Sequence, residues 1–105
     1  MDEQQFQILR ELEREPRVSQ RRLAEDLGIS LGKVNYCLKA LIDRGFVKVN
    51  NFRTSNNKRA YLYVLTPKGV SEKSRNTLRF LQRKTAEYDQ LRREIDLLKR
   101  EAKLR

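Results

Sequence analysis

Three residues, Gly28-Ile29-Ser30, separate two segments that each read as an amphipathic helix, and no other feature of the chain limits its fold so strongly. Upstream, "SQRRLAEDLG" places Leu23, Ala24 and Leu27 on one face, the spacing of a helix that buries one side. Ser19 is a good N-cap, with Val18 before it and Leu23 after it as a hydrophobic staple. Gly28 supplies the left-handed residue on which such a helix ends. Downstream, Ser30 caps a second helix in which Val34, Cys37, Leu38 and Leu41 recur on one side until Gly45. So short a turn makes the helices cross at once. Ala24 is small where they meet, and Ile29, Val34 and Cys37 plug the angle between them. Two helices joined by a tight turn containing glycine form a helix-turn-helix.

The flanking segments extend this motif into a recognisable order. A first helix is expected from Glu3 to Glu15, with Phe6, Leu9 and Leu12 in one stripe, Ile8 at its edge, and Pro16 as its stop. After Gly45 the apolar period changes from 3.6 to 2. "FVKVNNF" alternates Val47 and Val49 with Lys48 and Asn50, "AYLYVLT" is rich in strand formers, and the polar "RTSNNKR" lies between them. This predicts a two-stranded hairpin with a basic loop. The fold class is therefore mainly α with a small β-hairpin: a winged helix-turn-helix followed by a long C-terminal coiled-coil helix. Thr66 caps that last helix and Pro67 takes its first position, where a missing N–H costs nothing. The expected division is a DNA-binding domain at 1–66 and a dimerisation helix at 67–105. Gly69, Ser71, Ser74, Asn76 and Thr77 weaken the helix's first third.

Along that helix Tyr88, Leu91, Ile95, Leu98 and Ala102 repeat with alternating steps of three and four, and Leu81 extends the stripe backward across Lys84. This is a coiled-coil seam. So thin a stripe on so long a helix needs a partner, most simply a second copy. The direction in which two such helices would pair is left open.

Charge narrows the function. Lys and Arg number 24 against 14 Asp and Glu, a net charge of +10, which points to nucleic acid or an anionic membrane surface. Between Gly45 and Lys84 the bases are Lys48, Arg53, Lys58, Arg59, Lys68, Lys73, Arg75, Arg79, Arg83 and Lys84, and the only acid is Glu72. Arg17, Arg21 and Arg22 add a second group near the N-terminus of the helix after Ser19, where the dipole favours phosphate. Farther on, Glu87, Asp89, Glu94, Asp96 and Glu101 mix with arginines and lysines, as on a solvated coiled coil. No basic segment carries the apolar face of a membrane-surface helix, and no apolar run spans a bilayer. The acidic amphipathic start is unlike a signal peptide. The single cysteine cannot form an internal disulfide and fits a reducing cytoplasm.

Catalysis is disfavoured. Histidine is absent, and with it the commonest general base and metal ligand. Cys37 has no partner for a zinc cluster and reads as a small buried hydrophobe. There is no phosphate-binding glycine motif. No catalytic residue, metal site or cofactor is expected.

The candidate site is a DNA surface. The candidate recognition surface starts at Ser30; on the helix after it, the face opposite its apolar side carries Leu31, Gly32, Asn35, Tyr36 and Lys39, with Lys33 on the flank. Asn can pair with adenine, Lys with guanine or phosphate, and Tyr with phosphate or a thymine methyl. Gly32 lies in the first turn, where a side chain would hold the backbone away from DNA. Arg53, Lys58 and Arg59 are candidates for the minor groove; Ser19, Arg21 and Arg22 are candidates for phosphate. The other reading is a winged-helix module that docks another protein through its last helix. Structured RNA is a third.

"LAEDLGISLGKVNYCLKALIDRGFV" and "NKRAYLYVLTPKG" resemble the MarR-type winged-helix regulators of bacteria, over roughly Phe6 to Gly69. "SQRRLAEDLGISLGKVNYCLKALIDRGFVKV", "LTPKG" and "FLQRKTAEYDQL" are similar to the subfamily associated with exopolysaccharide gene clusters. The resemblance implies a homodimeric repressor or activator on a pseudo-palindromic operator, with recognition helices in major grooves and wings in adjacent minor grooves. Two departures stand out. The family's wing commonly carries Asp-x-Arg, where this chain has Asn57-Lys58-Arg59. The usual multi-helix dimerisation region is reduced to one helix, which argues against a small-molecule effector site.

Overall fold

The computed structural model describes residues 1–53 and 59–103, with side chains described for 1–51 and 61–103. Its elements run α1 (Glu3–Arg14), α2 (Gln20–Leu27), α3 (Leu31–Asp43), β1 (Val47–Arg53), β2 (Arg59–Leu65) and α4 (Pro67–Lys103). The order is that of a winged helix-turn-helix with a long C-terminal helix. The chain divides into two compact units, Met1–Ser74 and Arg75–Arg105, so the first two turns of α4 belong with the winged helix.

Local chemistry fixes each boundary in the first unit. The Asp2 carboxylate accepts from the Gln5 N–H at 2.8 Å and caps α1. Ser19 Oγ accepts from the Arg22 N–H and Ser30 Oγ from the Lys33 N–H, both at 3.0 Å. At the end of α2, Gly28 has φ 66°. Its N–H reaches the Glu25 carbonyl, and the next N–H, of Ile29, reaches Ala24. The end of α3 repeats the device: Gly45 has φ 77°, its N–H donates to Ile42, and the Phe46 N–H donates to Leu41. This paired closure is the Schellman motif, which uses a left-handed residue to satisfy carbonyls the helix would otherwise leave orphaned. In each case the residue after the glycine is apolar and turns inward; Phe46 is almost fully buried.

The core gathers Ile8, Leu9 and Leu12 from α1, Val18 and Leu23, then Val34, Cys37, Leu38 and Leu41 from α3, and Phe46, Val47 and Tyr63. Ile8, at the edge of α1's apolar stripe as periodicity predicts, is nevertheless fully buried, with no exposure at all. The reason is that α1 contacts α2, α3 and β2 together, so its apolar face is broader than a single stripe.

β1 and β2 are antiparallel, with Val47 opposite Leu65, Val49 opposite Tyr63 and Arg53 opposite Arg59. The ladder thus takes in both arginines that the sequence assigns to the connecting segment. The Tyr63 N–H points away from β1 and donates to the Pro16 carbonyl at 3.2 Å, tying the hairpin to the α1–α2 connection. Burial fades along the ribbon: Val47 and Tyr63 are buried, whereas Val49 is 38% and Tyr61 57% exposed. Alternation therefore predicts the inward face correctly but not how soon it leaves the core.

At the start of α4, Thr66 Oγ1 donates to the Gly45 carbonyl and accepts from the Gly69 N–H. The Thr66 N–H donates to Phe46, and Lys68 Nζ reaches the Arg44 carbonyl at 3.1 Å. Gly69 is buried against this corner. A Cβ built there would lie 2.0 Å from the Phe46 carbonyl oxygen, so its value is close approach, not helix weakening. The second unit is the helix from Arg75 onward, continuous to Lys103.

Candidate nucleic-acid interface

The Ser30 cap starts α3 abruptly, and its buried face then dictates what faces out. With Val34, Cys37, Leu38 and Leu41 all inside, Leu31, Gly32, Tyr36 and Lys39 are left exposed; Leu31 is 47% and Tyr36 64% accessible. Lys33, half-buried, places Nζ 5.3 Å from the centre of the Tyr36 ring, so the cation steadies the ring and both reach the same surface.

Asn35 departs from the outward position expected for it. It is half-buried, and its amide nitrogen donates at 3.4 Å to Gln20 Oε1 on α2. Gln20 Nε2 in turn donates to the Tyr63 hydroxyl at 2.9 Å. A chain of three polar side chains therefore links α3, α2 and β2 behind the exposed face. Sequence reasoning missed Gln20. It stands in the first turn of α2, where any polar residue is unremarkable, and its partners lie 15 and 43 positions away.

Around α2, Ser19 Oγ is engaged as the cap, Arg21 is exposed, and Arg22 pairs with Asp26 at 3.1 Å. Arg22 is thus a partly neutralised phosphate candidate, and Arg21 is the fuller cation. Beside them Arg17, Val18, Ser19, Gln20, Tyr61 and Tyr63 line a shallow recess, open to solvent, between the α2 N-terminus and β2. The Tyr61 and Tyr63 rings lie 6.4 Å apart.

For the wing, backbone pairing puts Arg53 and Arg59 on one rung. Lys58 lies outside the described residues. Several cations counted in the basic stretch have internal duties. Lys73 Nζ pairs with Glu13 at 2.8 Å, Lys84 with Glu87 at 3.2 Å, and Lys68 is held by Arg44 and the Phe46 ring. Charge along the sequence therefore overstates the charge offered to a partner.

Cys37 is fully buried in the core. Burial pushes its thiol pKa up, Asp2 adds to the rise, and Lys33 opposes it. The thiolate is the reactive form, so this sulfur is held in its inert state. Among the described residues no group of His, Cys, Asp and Glu gathers where it would hold a metal ion. No helix among them is long and apolar enough to cross a membrane. In the second unit Leu81, Tyr88, Leu91, Ile95, Leu98 and Ala102 are all exposed on the single chain.

Comparison with known proteins bears on the fold. Residues 1–48 match the family of winged helix-turn-helix DNA-binding domains. No curated protein matches the chain in sequence. Among solved structures it is similar to a mutant of ZitR from Lactococcus lactis, with 26% identity and a TM-score of 0.67 over 87% of this chain and 60% of that one. The transcriptional regulator BldR from Sulfolobus solfataricus shares 25% identity, with a TM-score of 0.63 over 81% of this chain and 60% of its own. A MarR/EmrR family transcriptional regulator from Acinetobacter sp. ADP1 is 21% identical, with a TM-score of 0.66, and covers 100% of this chain and 78% of its own length; this last likeness shows the fold alone. The chain spans 60% of the length of ZitR and of BldR.

Proposed function

We propose that this chain is a MarR-type, non-enzymatic, cytoplasmic transcriptional regulator that binds double-stranded DNA as a homodimer. In this reading α3 enters the major groove, the arginines of the hairpin reach the adjacent minor groove, and Arg21 with the α2 N-terminus takes phosphate. The observation that carries it is the exposed α3 face, where Leu31, Gly32, Tyr36 and Lys39 stand together on the second helix of a helix-turn-helix. The second helix of that motif is the one that reads base edges. The likeness of residues 19–49 to the exopolysaccharide-associated regulators further suggests an exopolysaccharide gene cluster as target.

Selection of bound fragments from host DNA tests the reading. A two-fold related pair of half-sites is expected, and a chain that enriches no duplex at low salt would overturn it. Tyr36→Ala should weaken the selected site roughly tenfold to a hundredfold, as losing a good base contact does, while leaving random duplex nearly unchanged. Tyr36 is the cleaner probe because Asn35 also bonds Gln20, so its removal mixes contact with support.

Gly32 gives a second test. Its φ is not in the left-handed region, and a Cβ there would meet nothing within 4 Å. Nothing inside the molecule requires glycine at this position. Gly32→Ala should raise stability by up to ~1 kcal/mol, less at this first-turn position, yet weaken duplex binding. A variant that improves in both stability and binding would show that the glycine provides no clearance for DNA.

A further inference from the structure

The exposed seam of the second unit also carries the information for how it pairs. Resting on the homodimer reading above, we infer that two copies associate through residues 81–102 as a parallel, in-register coiled coil. With Tyr88 at heptad position a, Leu91 falls at d, Ile95 at a, Leu98 at d and Ala102 at a. Ile at a with Leu at d is the combination that favours a parallel two-stranded pair. All five are exposed on the single chain, and Ile95, the least so, is still 42% accessible. Leu97, at c, lies off the seam.

The flanking charges decide the direction. The g positions are Glu87, Glu94 and Glu101, all acidic; the e positions are Thr85, Arg92 and Lys99, with no acid among them. In a parallel pair each g residue faces the e residue of the next heptad on the other helix. Glu87 then meets Arg92 of the other copy and Glu94 meets Lys99, and symmetry repeats both contacts. In an antiparallel pair g faces g and e faces e. Glutamates would then oppose glutamates, Arg92 would oppose Arg92 of the other copy, and Lys99 would face Thr85 and lose its acidic partner. Charges at e and g set orientation in this way by repelling the alternative as much as by attracting the partner. On its own helix Glu87 also pairs with Lys84, and Lys84 occupies the preceding d position. Two lysines facing one another there mark the point above which the apolar seam thins out.

Disulfide trapping in the full chain tests this. Cysteine at a d or a position meets its own copy in a parallel pair within disulfide reach. In the antiparallel alternative centred between Leu91 and Ile95, position 98 faces position 88 of the other helix, and the two copies of residue 98 lie about 15 Å apart along the axis. Leu98→Cys and Ala102→Cys should each form a covalent dimer on mild oxidation, while the unsubstituted chain, with Cys37 buried, does not. Cross-linking only in a mixture of Tyr88→Cys with Leu98→Cys would overturn the parallel arrangement. Charge reversal reads the same question without a thiol. Arg92→Glu with Lys99→Glu turns four attractive contacts per dimer into repulsions in the parallel pair but only exchanges one like-charge set for another in the antiparallel one. Dimer dissociation measured by sedimentation should become about tenfold easier or more; no change would overturn the proposal. A dimer that fails both tests leaves the homodimer reading standing and removes only the orientation. A chain monomeric at micromolar concentration removes both, and assigns the seam to a different protein.

Discussion

Gly69→Ala is expected to lower the thermal midpoint by roughly 10 °C, although alanine is the better helix former. The added methyl carbon would sit 2.0 Å from the Phe46 carbonyl oxygen, 2.9 Å from its carbon and 3.2 Å from its Cα. All three are backbone atoms, so no side chain can swing aside. The carbonyl in question is not free to move either, because it accepts the Thr66 N–H at 3.0 Å. Relief requires the first turn of α4 to shift away from the end of α3, loosening the Thr66 bonds to Gly45 and Gly69. Overpacking of this kind costs about 1–3 kcal/mol and occasionally more. The opposing gain in helix propensity is at most ~1 kcal/mol. The clash wins. Thermal unfolding of Gly69→Ala beside Gly32→Ala makes the comparison sharp, since the same substitution should act in opposite directions at the two sites. An unchanged or raised midpoint for Gly69→Ala would mean that the corner between α3 and α4 is far softer than its hydrogen bonds imply.

Duplex binding should fall by roughly a thousandfold between 50 and 200 mM salt if about six phosphates are neutralised across the homodimer. Each neutralised phosphate contributes about −0.9 to the slope of log affinity against log salt. The structure separates the cations available for this from those already occupied. Arg21 and Lys39 are exposed, whereas Lys73 is committed to Glu13 at 2.8 Å. Each substitution alters both copies in a dimer. Lys39→Ala or Arg21→Ala should therefore flatten the slope by about 2, and Lys73→Ala should leave it unchanged. A wild-type slope shallower than about −2 would mean that phosphates are not the main partner of this surface.

What the sequence made legible was what short-range chemistry controls. Ser19 and Ser30 cap, and Gly28 and Gly45 close, because each acts on atoms within five residues of itself. The helix-turn-helix followed from those four residues and the apolar period between them. Long-range consequences were hidden. Gly69 reads as a weak spot in a helix until Phe46 is placed beside it. Ile8 reads as an edge residue, and its complete burial follows only once α1 is seen to contact three elements. The polar chain from Asn35 through Gln20 to Tyr63 joins residues that no periodicity brings together. The candidate site shows the same division. The exposed face of α3 follows from its buried face, but which cations are pre-empted by Glu13, Asp26 or Glu87 depends on how side chains turn.

Cys37 has one more consequence. Its sulfur is the only thiol in the chain and lies wholly inside the core between α3 and its neighbours. A thiol-specific reagent can reach it only when that core opens, so the native protein carries its own reporter of breathing. Native proteins open locally across a wide range of free energies, and a single buried thiol samples one defined point on that range. The helix it sits on is the one we propose to enter the DNA groove. The speed at which Cys37 reacts thus becomes a clock for the opening of α3, one that needs no engineered cysteine.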